Sequence, residues 1–196
     1  MEKINFIKTF IPQGDFREKY EHGGMMVRHL AAVLDEKMGA YECYECTVPI
    51  GEYDEGEIQK AFVEFSAKMD ALKLKQAKAD KIAEITAYDT SSSVNGFMLN
   101  GLLVWLDKAT RVGLMNSTTI AKAADQKTTT LWLGGIKLVV DCDKAIQLLS
   151  ALEMYALECF NVTAAHKKAV SELDNIEAVL TYDYKSGYPE KLKMEV

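Results

Sequence analysis

The stretch Val94-Asn95-Gly96-Phe97-Met98-Leu99-Asn100-Gly101-Leu102-Leu103-Val104-Trp105-Leu106-Asp107 decides the fold. Two short apolar runs, 94–99 and 102–106, flank Asn100-Gly101. Both turn residues tolerate positive φ, so the chain is expected to reverse here as a tight antiparallel hairpin. Asp107 is placed to cap a helix running through Lys108, Ala109, Arg111, Val112, Leu114 and Met115. The same plan then recurs. Runs 128–133 and 136–140 flank Gly134-Gly135, and Asp141 or Asp143 is placed to cap a helix over about 144–160.

In that second helix Ala145, Leu148, Leu149, Leu152, Tyr155, Ala156 and Cys159 form a broad apolar face. Met154 and Leu157 fall outside it, which implies burial on more than one side. Thr163 is read as the cap of a further helix ending near Leu173. A turn over 175–180 and an aromatic tail, Tyr182, Tyr184 and Tyr188, follow. The result is two hairpin-plus-helix units in succession, packed as one small domain, with too little identity between them to make a true repeat.

The first part of the chain reads differently. Ile4, Phe6, Phe10 and Phe16 form a short extended or irregular apolar start, broken around Pro12-Gln13-Gly14. After Gly23-Gly24, the intervals between Met26, Leu30, Val33, Leu34 and Lys37 predict a helix stopped by Gly39. Positions 41–50 predict a strand. One long helix is expected from about Asp54 to Ala87, uninterrupted by proline and carrying Ile58, Phe62, Phe65, Met69 and Leu72 at spacings of four, three, four and three. Such a seam packs either on another copy, making a homo-oligomer, or across its own domain. The expected architecture is α+β. It comprises a small α/β N-terminal attachment region (1–53), a connecting helix (54–88) and a hairpin–helix domain (89–196), with Ser91-Ser92-Ser93 as a hinge.

With 29 acidic and 23 basic side chains among 196 residues, the formal net charge is −6, which gives no electrostatic basis for broad nucleic-acid binding. The lysine-rich stretch 68–81 is interrupted by Asp70 and Asp80 and lacks aromatics, so a solvated helix face is its reading. Met1-Glu2-Lys3 and the interrupted run 4–11 do not resemble a secretory leader. No run reaches the roughly 20 apolar residues of a membrane span. A reducing cytosol is therefore the expected compartment of synthesis, and the glycosylation-type triplets 116–118 and 161–163 carry little weight.

Residues with reaction chemistry do not assemble into a convincing site. Cys43-Tyr44-Glu45-Cys46 has the spacing of half a zinc site or of a redox pair, with His22 and His29 as nominal further ligands. A regular strand, however, points positions 43 and 46 to opposite faces, which leaves ordinary packing as the third reading. Cys142 and Cys159 have no partners nearby in sequence. His166, beside Lys167 and Lys168, reads as a solvent-facing or interface residue. Glu42 and Glu45 make a poor acid–base pair, and Asp141 and Asp143 suit a helix N-terminus. The glycines form neither a phosphate loop nor a dinucleotide fingerprint. No catalytic, cofactor-binding or metal-binding residue is assigned. Trp105 and Trp132 stand out as contact residues, either in the core, against a partner, or stacked on a sugar or base; Tyr184 and Tyr188 either seal the domain or touch another subunit.

From about Leu74 to Leu192 the chain resembles an uncharacterised domain family of phage genomes and of prophage regions in gut-associated Bacteroides-like bacteria. The resemblance rests on Lys78–Ile85 with Tyr88-Asp89, Asn95-Gly96-Phe97, Leu99-Asn100-Gly101, Trp105–Arg111, Thr130-Leu131-Trp132, Ala145–Glu153, Tyr182-Asp183-Tyr184 and Gly187–Glu190. It implies a tail-associated structural or adaptor protein of the virion, made in the bacterial cytoplasm, whose partners are other tail or fibre proteins. A transient fibre-assembly chaperone and a bacterial regulatory or interaction protein are the alternatives. The family supplies no catalytic residues to carry over.

Overall fold

The computed structural model describes residues 4–196; Met1-Glu2-Lys3, weighed above as the start of a leader, lies outside them. Helix makes up 49% and strand 26%, so the chain is α+β. It divides into two compact units, Met1–Lys73 and Leu74–Val196, and the division falls inside one helix.

The first unit is built on a four-stranded sheet. Its strands are β1 (Ile7–Pro12), β2 (Lys19–His22), β3 (Met25–Asp35) and β4 (Ala40–Pro49), in the order β1-β4-β3-β2 with every pair antiparallel. Helix α1 (Glu55–Asp89) starts in this unit. Asp54 accepts from the Glu57 amide at 2.8 Å while Glu57 accepts from the Asp54 amide at 2.9 Å, a reciprocal cap that satisfies two otherwise orphaned donors. Ile58, Phe62 and Phe65 then pack on Met26, Leu30, Tyr44, Cys46 and Val48. The other face of the sheet is closed by the segment between β1 and β2, whose Phe16 ring stacks on Tyr41 with centroids 4.1 Å apart.

One expectation for this unit is corrected. The segment read as a helix from Met26 to Lys37 is strand β3, which makes the first region a β-sheet with one helix packed on it. Met26 and Leu30 face α1, whereas Val27 and His29 are buried on the opposite side. A strand buried on both faces loses the polar–apolar alternation that identifies it. A bulge between Leu30 and Val33, with Ala31 at φ +51°, then restores apolar residues at helix-like intervals. Gly39 closes the hairpin turn into β4, its amide donating to Asp35 carbonyl at 2.9 Å. Of the seam read as packing either on another copy or across its own domain, Ile58 and Phe62 are buried inside their own unit, Phe65 packs beside them, and Leu72 is 54% exposed.

The second unit contains the C-terminal part of α1, then α2 (Ser92–Asn95), β5 (Phe97–Leu99), β6 (Leu102–Val104), α3 (Lys108–Ala123), β7 (Thr128–Leu133), β8 (Ile136–Asp141), α4 (Cys142–Glu172), α5 (Ile176–Thr181) and β9 (Lys193–Met194). Both expected hairpins are present. Asn100 and Gly101 lie at φ +48° and +82°, the pattern of the turn that matches strand twist. The β7–β8 hairpin turns at Gly134-Gly135. Gly134 also approaches β6 so closely that a Cβ would lie 2.8 Å from Val104 Cγ1, so this hairpin seats on the first one only with glycine there. Strand β9 adds to β5 in parallel. Asp107 caps α3 and Asp141 caps α4.

One core joins these elements: Phe97, Leu99, Leu131 and Leu133 from the strands meet Ala145, Leu149, Leu152, Tyr155 and Cys159 of α4. Three further expectations change here. Residues 94 and 95, read as the start of a strand, belong to a helical turn (Ser92–Asn95) capped by the Ser91 hydroxyl, and the Tyr155 hydroxyl donates to Val94 carbonyl at 2.8 Å. Helix α4 continues through Thr163, which instead of capping a new helix donates to Asp89 Oδ1 at 2.8 Å and bonds to the Tyr188 hydroxyl at 2.9 Å. Residues 176–181 are helical, capped by Asn175 Oδ1 on the Ala178 amide, and not a turn.

Ala31 supplies a test of the bulge. It is exposed and held at positive φ, which disfavours an L side chain by roughly 1–2 kcal/mol, against about 0.5–1 kcal/mol of extra chain entropy for glycine. Ala31→Gly is therefore expected to raise the urea-unfolding free energy by about 0.5–1 kcal/mol. A loss of stability would contradict this geometry.

Candidate functional site

The second unit carries an open cleft of about 740 Å³. Its walls follow from helix periodicity: Glu153, Ala156, Leu157 and Phe160 recur at three- and four-residue steps and so share one side of α4. Facing them are Trp105 and Leu106, leaving β6, and Asp107, Lys108 and Arg111 on the first turn of α3. Asp89, Thr90 and Asn95 also line it. Trp105 (41% exposed), Leu157 (49%) and Phe160 (58%) give the rim an apolar surface that meets solvent.

The floor is polar and organised around Arg111, which is 7% exposed. Its Nε donates to Glu153 Oε1 at 2.8 Å, and Nη1 donates to Leu106 carbonyl at 2.8 Å. The pair ties the start of α3 to α4. Asp107 holds that turn of helix in place, accepting from Thr110 Oγ1 at 2.6 Å and from Thr110 N–H at 2.8 Å. These bonds favour the carboxylate and hold Asp107 below its ordinary value, the hydroxyl contributing most. Deeper in the core, burial raises both the Tyr155 phenol and the Cys159 thiol. Neither is poised as a nucleophile at neutral pH.

Of the contact candidates named from sequence, Trp105 lines the cleft and Trp132, Tyr184 and Tyr188 do not. Trp132 is 57% exposed on the outer face of the β7–β8 hairpin, opposite Lys137. Burial of either indole in the core is thus overturned. Tyr184 and Tyr188 seal their own unit, both packing edge-on against Tyr88. Met154 and Leu157, expected to be buried on a second side of α4, are exposed. His166 is half-buried and tethers the tail: Nε2–H donates to Ser186 carbonyl at 2.9 Å and Nδ1 accepts from Tyr182 hydroxyl at 2.9 Å. Arg111, Glu153 and Phe160 were not identified as site residues. The available signal was one glutamate placed among the apolar positions of a core helix.

The candidate metal and acid–base groups stay apart. Cys43 and Cys46 are both buried and project from opposite faces of β4, Cys46 toward α1. His29 is engaged by Arg17 carbonyl and by Glu45 Oε2, while Glu42 pairs with Lys8 at 2.7 Å on the other face. Among the described residues no group of three or more His, Cys, Asp or Glu is placed to hold a metal ion, and no helix is long and apolar enough to cross a membrane.

The chain belongs to the family described as Domain of unknown function (DUF4376), whose model matches residues 76–186, about 55% of its length. Every residue lining the cleft falls inside that span. Neither a curated protein nor a solved structure matches the chain.

Asp107 gives a pH-dependent test of the turn that carries Arg111. Because its folded value is depressed, the stabilisation is present above the unfolded value of about 3.9 and is lost as pH falls through the folded one. Asp107→Asn keeps a good cap but removes the charge. Its urea midpoint is expected to lie below wild type at neutral pH and to converge with it in strong acid. A gap independent of pH would contradict the assignment.

Proposed function

We propose that the protein acts by protein–protein contact, as a phage tail-associated structural or adaptor component. The observation that carries this reading is the cleft on the second unit. Its rim exposes aromatic and aliphatic surface, the kind of anchor that dominates partner binding when covered. Its floor is held by an ion pair already committed to joining two helices, which suits a rigid contact surface. The hydrogen-bonding groups that sequence made eligible for chemistry, His29, His166, Glu42 and Glu45, are all engaged in fixing strands and tail. The tail setting comes from the family resemblance; the first unit would engage a second component or a neighbouring copy through surface other than the Ile58–Phe65 seam.

Quantitative mass spectrometry of purified, nuclease-treated particles tests this against the unassembled fraction of the same lysate. The protein is expected at fixed stoichiometry with tail proteins. The double variant Trp105→Ala, Phe160→Ala is expected to leave the particle fraction while keeping a single cooperative urea transition, with a midpoint somewhat lowered because Trp105, at 41% exposed, is partly buried. Recovery only from the unassembled fraction would replace the structural role with that of a transient chaperone. Normal incorporation of the variant would remove the cleft from the contact.

A further inference from the structure

Arg111 is more than nine-tenths buried, yet its hydrogen-bonding capacity is unfilled. Of its five N–H donors, Nε serves Glu153 and Nη1 serves Leu106 carbonyl; Nη2 has no partner among the described residues. Two buried polar atoms, Arg28 Nε and Thr118 Oγ1, are likewise unpaired but sealed from solvent. Arg111 Nη2 is not sealed, and its residue lines the cleft. A planar guanidinium held through two of its nitrogens, in a residue that lines the cleft, is preorganised to receive a further oxygen acceptor.

Lys108 lies three residues earlier on α3 and lines the same cleft, so the two cations share a side of the helix. The carboxylates nearby have partners of their own, but only Glu153 is paired with a cation, and Asp107 and Asp89 keep their charge. Asp107 is taken up by Thr110, Glu153 holds Arg111, and Asp89 accepts from Thr163. They nevertheless leave a negative surround that would oppose a doubly charged phosphate more than a singly charged carboxylate. Trp105, Leu157 and Phe160 continue the cleft outward as exposed apolar surface.

Resting on the reading of this cleft as a partner contact, we infer that its occupant is a peptide segment of the partner carrying an Asp or Glu next to bulky apolar side chains. The carboxylate docks on Arg111 Nη2 and Lys108, and the apolar side chains cover Trp105, Leu157 and Phe160. The volume of about 740 Å³ falls within the range of roughly 300–1,000 Å³ typical of sites that enclose a specific ligand.

The test selects binders from a displayed library of random linear peptides, using the full chain with Trp132→Phe so that Trp105 is the sole indole. Enriched peptides are expected to share an acidic residue beside bulky apolar ones and to change Trp105 emission saturably. Replacing that Glu by Gln is expected to weaken binding about tenfold, as for loss of a charge-assisted bond. The preference is expected to shrink with Lys108→Gln, an exposed position whose change leaves the fold intact. Enrichment without an acid, equal affinity of the Glu and Gln forms, or no enrichment at all would overturn the carboxylate assignment. The partner contact would still stand if Trp105→Ala, Phe160→Ala lowered particle incorporation. Peptides that bind without altering Trp105 emission, together with normal incorporation of that double variant, would overturn the cleft reading as well.

Discussion

Helix α4 must bury one face along much of its 31 residues, and the second unit is built on that requirement. Ala145, Leu149, Leu152, Tyr155 and Cys159 follow one another at helical intervals and remove Phe97, Leu99, Leu131 and Leu133 from water. Each fully buried Leu or Phe contributes on the order of 1.5–3 kcal/mol relative to exposure. A pair of two-stranded hairpins, marginal by themselves, becomes stable on such a surface. The side of α4 turned away from this core, carrying Glu153, Leu157 and Phe160, is then free to border a cleft. Arg111 bridges α3 to it through Glu153, so the cleft is a fixed consequence of how the two helices meet.

The C-terminal tail depends on the same helix. Thr163 and His166, one turn apart on α4, bond to Tyr188, Tyr182 and Ser186. These bonds carry the chain back to β5, where β9 adds in parallel. Side chains that looked like free chemistry in the sequence thus spend their hydrogen bonds on holding the tail to the core.

What was legible in the sequence was what local physics determines. Asn100-Gly101 and Gly134-Gly135 specify tight turns, and Asp107 and Asp141 specify caps, because each acts within a few residues of itself. The α+β class and the long α1 follow from such signals. Strand β3 was hidden because tertiary burial of Val27 and His29 erased its alternation. Thr163 reads locally as a cap, but inside α4 its hydroxyl is bonded to Asp89 and Tyr188, which lie 74 and 25 residues away. The cleft was hidden for the same reason: Arg111 and Glu153, 42 residues apart, become a pair only after two helices have docked. Trp105 could be singled out by its size, but its exposure could not be read from its neighbours.

The cleft is proposed as the surface through which the second unit meets its partner. The most direct measurement places a photo-crosslinking benzophenone amino acid at Leu157, on the rim, and separately at Val139, a still more exposed position on the β7–β8 hairpin. Both chains are then irradiated in cells that make the protein with its native neighbours. A discrete adduct from position 157 and none from position 139 is the expected result. No adduct from position 157, or the same adduct from both, would contradict the account.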